Sequence, residues 1–141
     1  MSFDEKNAWA FGVIALVTYG AYATRVLVQA REVPLADVDY VWPMIGTIVA
    51  AIILGIIASI VISISRPSEA GISDERDRAI NRRGEQIGQS FVVIGGVSVM
   101  FLAMIEAPYF WIANAMYLAF VLSALLSTAT KVAGYRWGLP A

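Results

Sequence analysis

The charged residues cut the chain into four uninterrupted apolar runs: residues 7–24, 40–65, 86–105 and 107–130, of 18, 26, 20 and 24 residues. A helix rises about 1.5 Å per residue, so about 20 apolar residues cross a hydrocarbon core of roughly 30 Å. Each run is long enough to span. The pattern therefore predicts an all-α polytopic membrane protein, a four-transmembrane-helix bundle with spans at about 7–29, 41–65, 86–106 and 108–131. One membrane domain covering 1–141 is expected, with a connection at 66–85 between spans two and three.

Prolines and tryptophans respect this division. Pro43 and Pro108 open the second and fourth runs, where a missing N–H costs nothing, and Pro34 and Pro67 lie in connections. Trp9, Trp42 and Trp111 begin runs and Trp137 follows one, the distribution of an interfacial belt. Ala21-Tyr22-Ala23 has the small-x-small form of a signal-peptidase site, but the leading MSFDEK is not basic, so the first span is expected to be retained.

Composition agrees. Hydrophobic residues make up 59% and charged residues 15%, against about 45–50% and 25% in soluble chains, and mean hydropathy is +0.70. A net charge of −1 offers no attraction for nucleic acid. The chain has no Cys and no His. Disulfides, thiolate and imidazole metal sites, histidine-ligated haem, cysteine nucleophiles and the usual general base at neutral pH are all closed to it. No cofactor and no metal are expected. Eight of the ten Lys and Arg residues (Lys6, Arg66, Arg76, Arg78, Arg82, Arg83, Lys131 and Arg136) fall on one side of the four spans, and Arg25 and Arg31 on the other. The positive-inside rule then makes both termini and the 66–85 connection cytoplasmic.

Charge is concentrated in that connection. Asp74, Glu75, Arg76, Asp77, Arg78, Arg82, Arg83 and Glu85 sum to zero. Ser73 suits an N-cap with Asp74 and Glu75 in the first turn. Asp74 with Arg78 is an i,i+4 pair, while Glu75 with Arg78 and Arg82 with Glu85 are i,i+3 pairs, each worth about 0.2–0.5 kcal/mol. Ile80 and Ile87, with Gly84 between, form a narrow apolar seam. A short amphipathic cytoplasmic helix running into span three is expected, with Gly84-x-x-x-Gly88 permitting a bend or the close approach of another helix. Its readings are a solvated segment that sets topology, or a docking surface for a second copy or a protein partner. The neighbouring arginines make Asp74 and Asp77 a poor metal site.

With four spans and DERDRAINRRGEQIGQSFVVIG between the second and third, the chain resembles a family of small bacterial inner-membrane proteins of no established activity. In that family a DERD-type motif with a following R-G marks the cytoplasmic loop. The resemblance extends to the WIANAMYLAFVLSALL-type fourth span. It implies a bacterial inner membrane and the four-helix layout, and it carries over no catalytic residue.

Within the membrane, ionisable groups are functional candidates by default. The centres of the spans hold none. Arg25 near the end of span one and Glu106 at the close of span three belong to the same leaflet and are expected to pair across helices. Asn114, Tyr22, Thr18 and Tyr19 join them as a possible polar vestibule, or as ordinary interhelical hydrogen bonding. Small residues recur every four positions in span two (Ala51, Gly55, Ser59, Ser63) and span four (Ala115, Ala119, Ser123, Ser127), which lets helix backbones approach. One stripe is expected to pack within the bundle, leaving the second for self-association. The Ile-rich remainder of span two should face lipid.

Three functions compete. The first is a homo-oligomeric accessory or regulatory membrane protein without catalysis, working through its charged cytoplasmic segment. The second is a small dimeric transporter or channel, in which Glu106 is the one substitute for a deep proton-coupling carboxylate. The third, a membrane enzyme using Asp74, Asp77 and a divalent ion, is the least favoured by the residues present. The expected partners are the lipid bilayer, a second copy and a protein at the cytoplasmic loop.

Overall fold

Helices follow the apolar runs but outlast them, because charges at helix ends are compatible with the helix dipole. The computed structural model describes residues 3–65 and 75–138. It contains α1 (Phe3–Gln29), α2 (Val41–Ser65), α3 (Glu75–Met104) and α4 (Tyr109–Trp137), with a 3₁₀ turn at Leu35–Asp37 between α1 and α2. Among the described residues there is no strand. Asp4 and Glu5 occupy the first turn of α1, Glu75 and Asp77 that of α3, and Arg136 the last turn of α4. All four helices are long and apolar enough to cross a membrane, as a multi-pass membrane protein requires. All four tryptophans are exposed, two near each end of the helices.

The separate amphipathic helix expected before span three does not form. From Glu75 the charged residues and the third apolar run are one continuous helix of 30 residues. The helix runs through Gly84 and Gly88 without interruption. Both are buried and bring α3 close to α4, so the chain stays helical through them. Ser73 and Asp74 lie outside the described residues.

Two connections, 30–40 and 105–108, define one end of the molecule (the turn end), and the N-terminus of α1 with the C-terminus of α4 defines the other (the terminal end). At the turn end α3 stops in a Schellman-type motif. The Ala107 N–H donates to the Leu102 carbonyl at 3.0 Å and the Glu106 N–H to Ala103 at 3.1 Å, with Glu106 in the left-handed region at φ 56°. Pro108 then prevents continuation and serves as the N-cap of α4. So tight a turn forces α3 and α4 to lie antiparallel and adjacent.

The packing order is α3 on α4, α4 on α1 and α1 on α2, and among the described residues α2 and α3 share no extensive interface. Along α3, Ile80, Gly84, Gly88 and Gly95 are buried. A side-chain carbon added at Gly88 would lie 3.0 Å from the Ser123 carbonyl oxygen and 3.3 Å from Ser127 Cβ, and one at Gly95 would overlap Ala119 Cβ. The small stripe of span four is therefore spent within the chain, against glycines of α3. On the other side of α4, Phe110, Tyr117 and Val121 join Tyr22 and Val26 of α1 and Val38 of the connection in a core at the turn end. In α2 the contact is thinner: Gly55 is buried beside the Phe11 ring. Ala51 and Ser59 are half-buried, while the isoleucines between them are mostly exposed.

Candidate functional site

Polar side chains gather at the two ends. At the terminal end, the first half of α3 meets the last turns of α4 and the start of α1. The Arg76 guanidinium donates through Nη2 to the carbonyls of Gly134 at 3.2 Å and Tyr135 at 2.9 Å. These are among the last carbonyls of α4, of which that of Gly134 also accepts from the Gly138 N–H at 3.0 Å. Arg76 thus caps the negative end of a neighbouring helix dipole. The Tyr135 hydroxyl donates to Asn81 Oδ1 at 3.2 Å. Tyr135 lies beyond the fourth apolar run; burial pushes its hydroxyl well above the usual tyrosine range, Asp4, Asp77 and Glu5 add to this, and Arg76 opposes it. Arg136 Nε lies 3.4 Å from Glu5 Oε1, whose side chain is 10% exposed, and Lys131 Nζ lies 3.7 Å from Glu85 Oε1.

The charged segment is therefore two-sided. Arg76 and Glu85 have intramolecular roles at α4, and Asp77 is half-buried near Tyr135. Glu75, Arg78, Arg82 and Arg83 are exposed. Ile80 is fully buried on the inner face, whereas Ile87 is half-buried, so the apolar seam runs through Ile80, Gly84 and Gly88 rather than through the two isoleucines.

At the turn end, the structure brings Tyr22 together with Asn114 and with Tyr19. The Tyr22 hydroxyl donates to Asn114 Oδ1, and Asn114 Nδ2 donates to the Phe110 carbonyl one turn back at 2.8 Å. The Tyr117 hydroxyl lies 2.9 Å from Thr47 Oγ1. Because the Thr47 hydroxyl proton is directed to the Pro43 carbonyl at 2.9 Å, Tyr117 is the donor. Tyr19, Tyr22 and Tyr117 stack at centroid distances of 4.9–6.0 Å, the Tyr19–Tyr117 contact being edge-on. Thr18 turns back onto the Ile14 carbonyl at 2.7 Å. Tyr22 and Tyr117 of this network are buried, and Tyr19, Thr47 and Asn114 are half-buried. Its hydrogen bonds link α1 to α4 and α2 to α4.

Arg25 and Glu106 do not pair: both are exposed, and α4 packs between their helices. The tight 105–108 turn makes α4 the neighbour of α3, so a link between spans one and three has no short path. Among the described residues no three acidic side chains gather in a metal-binding group.

Contributors not singled out beforehand include Arg76 as a cap, Tyr135 with Asn81, Glu5, Tyr117 and Thr47. A signal existed for Tyr117, since Phe110, Asn114, Tyr117 and Val121 recur at i, i+4, i+7 and i+11, one face of α4 opposite its small stripe. Capping by Arg76 depends on where the far end of α4 arrives, and no local pattern encodes that. No family model, curated protein or solved structure matches this chain.

Proposed function

We propose that this chain is a multi-pass protein of the bacterial inner membrane, with both termini and the 66–85 connection in the cytoplasm. In this reading it is an accessory or regulatory protein without catalysis of its own, which self-associates and engages a protein partner through the outer face of α3. One observation carries the proposal. Arg82 and Arg83 are exposed on a helix whose opposite face, through Gly84 and Gly88, is locked onto α4. Two guanidiniums on a rigid support, at the level where a membrane meets the cytoplasm, suit an acidic partner segment or lipid phosphates. The excess of Lys and Arg at this end supports the orientation. The transporter reading finds less support, because the polar groups of the turn end satisfy one another and Glu106 sits exposed in a turn.

The test is purification of the tagged full chain from native membranes in mild detergent, with the intact complex weighed by native mass spectrometry. The expected result is a mass containing a second, different chain. That chain should be lost from the Arg82→Gln/Arg83→Gln variant while helix content and melting temperature are retained. A mass at multiples of 15.3 kDa alone, or undiminished co-purification with the variant, overturns the docking role.

A further inference from the structure

The outer face of α3, turned away from α4, changes its chemistry in a fixed order along the helix. Arg82, Arg83, Gln86, Gln89, Val93 and Val97 are all exposed. At about 3.6 residues per turn they fall within about 120° of one another, opposite the buried Gly84, Gly88 and Gly95. The side chains of Arg82, Arg83, Gln86 and Gln89 make no hydrogen bond or ion pair with a described residue. Nearby charges are engaged elsewhere: Arg76 holds carbonyls of α4, and Glu85 is turned to Lys131 of α4. Glu75, an exposed acid on this face, stands about 10 Å further from the apolar run than Arg82. Gln86 opens the third apolar run, so the two guanidiniums leave the helix about 5 Å outside it. Helical side chains lean toward the N-terminus of their own helix, and here that directs all four donor groups to the layer where headgroups lie.

We propose that this face binds one anionic phospholipid, its phosphate on Arg82 and Arg83, its ester carbonyls on the Gln86 and Gln89 amides, and an acyl chain along Val93 and Val97. Phosphate, ester and hydrocarbon follow one another in a glycerophospholipid, and the face presents cation, amide and branched aliphatic in the same order. A guanidinium carries donors only, in a planar fork that fits phosphate oxygens. A glutamine amide offers two N–H groups to carbonyl oxygens. Charge selects the headgroup. Two cations stand at the phosphate level, and the carboxylate nearest them along the helix, Glu85, is already turned to Lys131. The ammonium of a choline or ethanolamine headgroup would meet two like charges there. A glycerol headgroup adds no cation and leaves the phosphate charge to the arginines.

The proposal rests on the reading of this face as the working surface, and the two are separable because a lipid adduct and a captured second chain have distinct masses. In the test, the delipidated full chain in mild detergent is incubated with glycerol, choline or ethanolamine phospholipid of identical acyl chains. Native mass spectrometry then counts retained lipid. One glycerol lipid per chain is expected, retained about tenfold more strongly than either zwitterionic lipid, as two basic residues at a membrane surface imply. Arg82→Gln/Arg83→Gln should erase that preference with helix content unchanged. Gln86→Leu/Gln89→Leu should lower retention of all three lipids severalfold while keeping the preference. The water-soluble glycerophosphodiester, which has the phosphate but no acyl chains, should leave no adduct. A lipid adduct without a second protein chain supports the lipid and counts against the docking role alone. Equal retention of the three lipids, undiminished preference in the arginine variant, undiminished retention in the glutamine variant, or an adduct of the soluble phosphodiester overturns the proposal.

Discussion

The second and third helices show what holds a helix in place inside a membrane. The α2 helix carries no charged residue. Yet only 6% of its apolar stretch is buried within the chain, against 11% for that of α3. The α3 helix carries eleven residues of polar and charged lead, Glu75 to Glu85, and packs on α4 more extensively than any other pair of helices packs. Lipid is as apolar as isoleucine, so hydrophobicity gives α2 no reason to attach itself. Attachment follows backbone proximity, and that is where the two differ. Three of the four buried residues of α3 are glycines set against Ala119, Ser123 and Ser127, whereas α2 offers Gly55 to the edge of one ring.

The strongest way to break this contrast is to put a methyl group into the seam. Gly95→Ala sets a new Cβ against Ala119 Cβ on a helix with no slack, and overpacking of this kind costs about 1–3 kcal/mol. The neighbouring Gly96→Ala meets nothing within 4 Å and should be neutral or stabilising by about 0.5–1 kcal/mol, the ordinary gain of alanine in a helix. Gly55→Ala should fall between them, since its Cβ meets the far end of the Phe11 side chain at 3.0 Å and the ring can turn. Thermal unfolding of the three variants in one detergent ranks them. Equal melting temperatures for Gly95→Ala and Gly96→Ala would show that the seam does not hold α3.

Next in size is the contact that continues the seam beyond the apolar region. Arg76→Gln removes a cation from the carbonyl end of α4 and should cost about 1 kcal/mol, while Arg82→Gln, on the exposed face, should leave stability unchanged. Protease susceptibility of the α4 C-terminus, read beside the melting temperature, checks both. If the two variants behave alike, Arg76 is not a cap.

Much of this fold is legible along the chain. Four apolar runs between charges gave four helices. Small residues every fourth position in span four, together with Gly84 and Gly88, pointed to close approach, and both ended in the same seam. Helix boundaries were less legible, because runs between charges mark apolar length and not hydrogen bonding. Thus α3 began eleven residues before its run and α4 ended seven after its own. Side-chain pairing across helices was legible only where a stripe pointed to it. Tyr22 and Asn114 met as polar groups in neighbouring spans. Arg25 and Glu106 did not, since leaflet and charge alone say nothing about which helix stands between.

The smallest effect concerns the hydrogen bond that ties α2 to α4. Thr47 accepts from Tyr117 near the start of α2, and Thr47→Val removes that acceptor while keeping the branched shape. Interhelical hydrogen bonds in membranes average about 0.6 kcal/mol, so the loss in global stability should be near the limit of a melting experiment. Its local effect should be larger in proportion, because α2 has so little else to hold it. Hydrogen exchange along α2, compared between the parent and Thr47→Val, isolates that contribution. Faster exchange confined to α2 is expected, with α3 unchanged. Exchange that quickens equally in both helices would mean that α2 is bound into the same cooperative unit as the seam, and the contrast between the two helices would then be one of surface and not of strength.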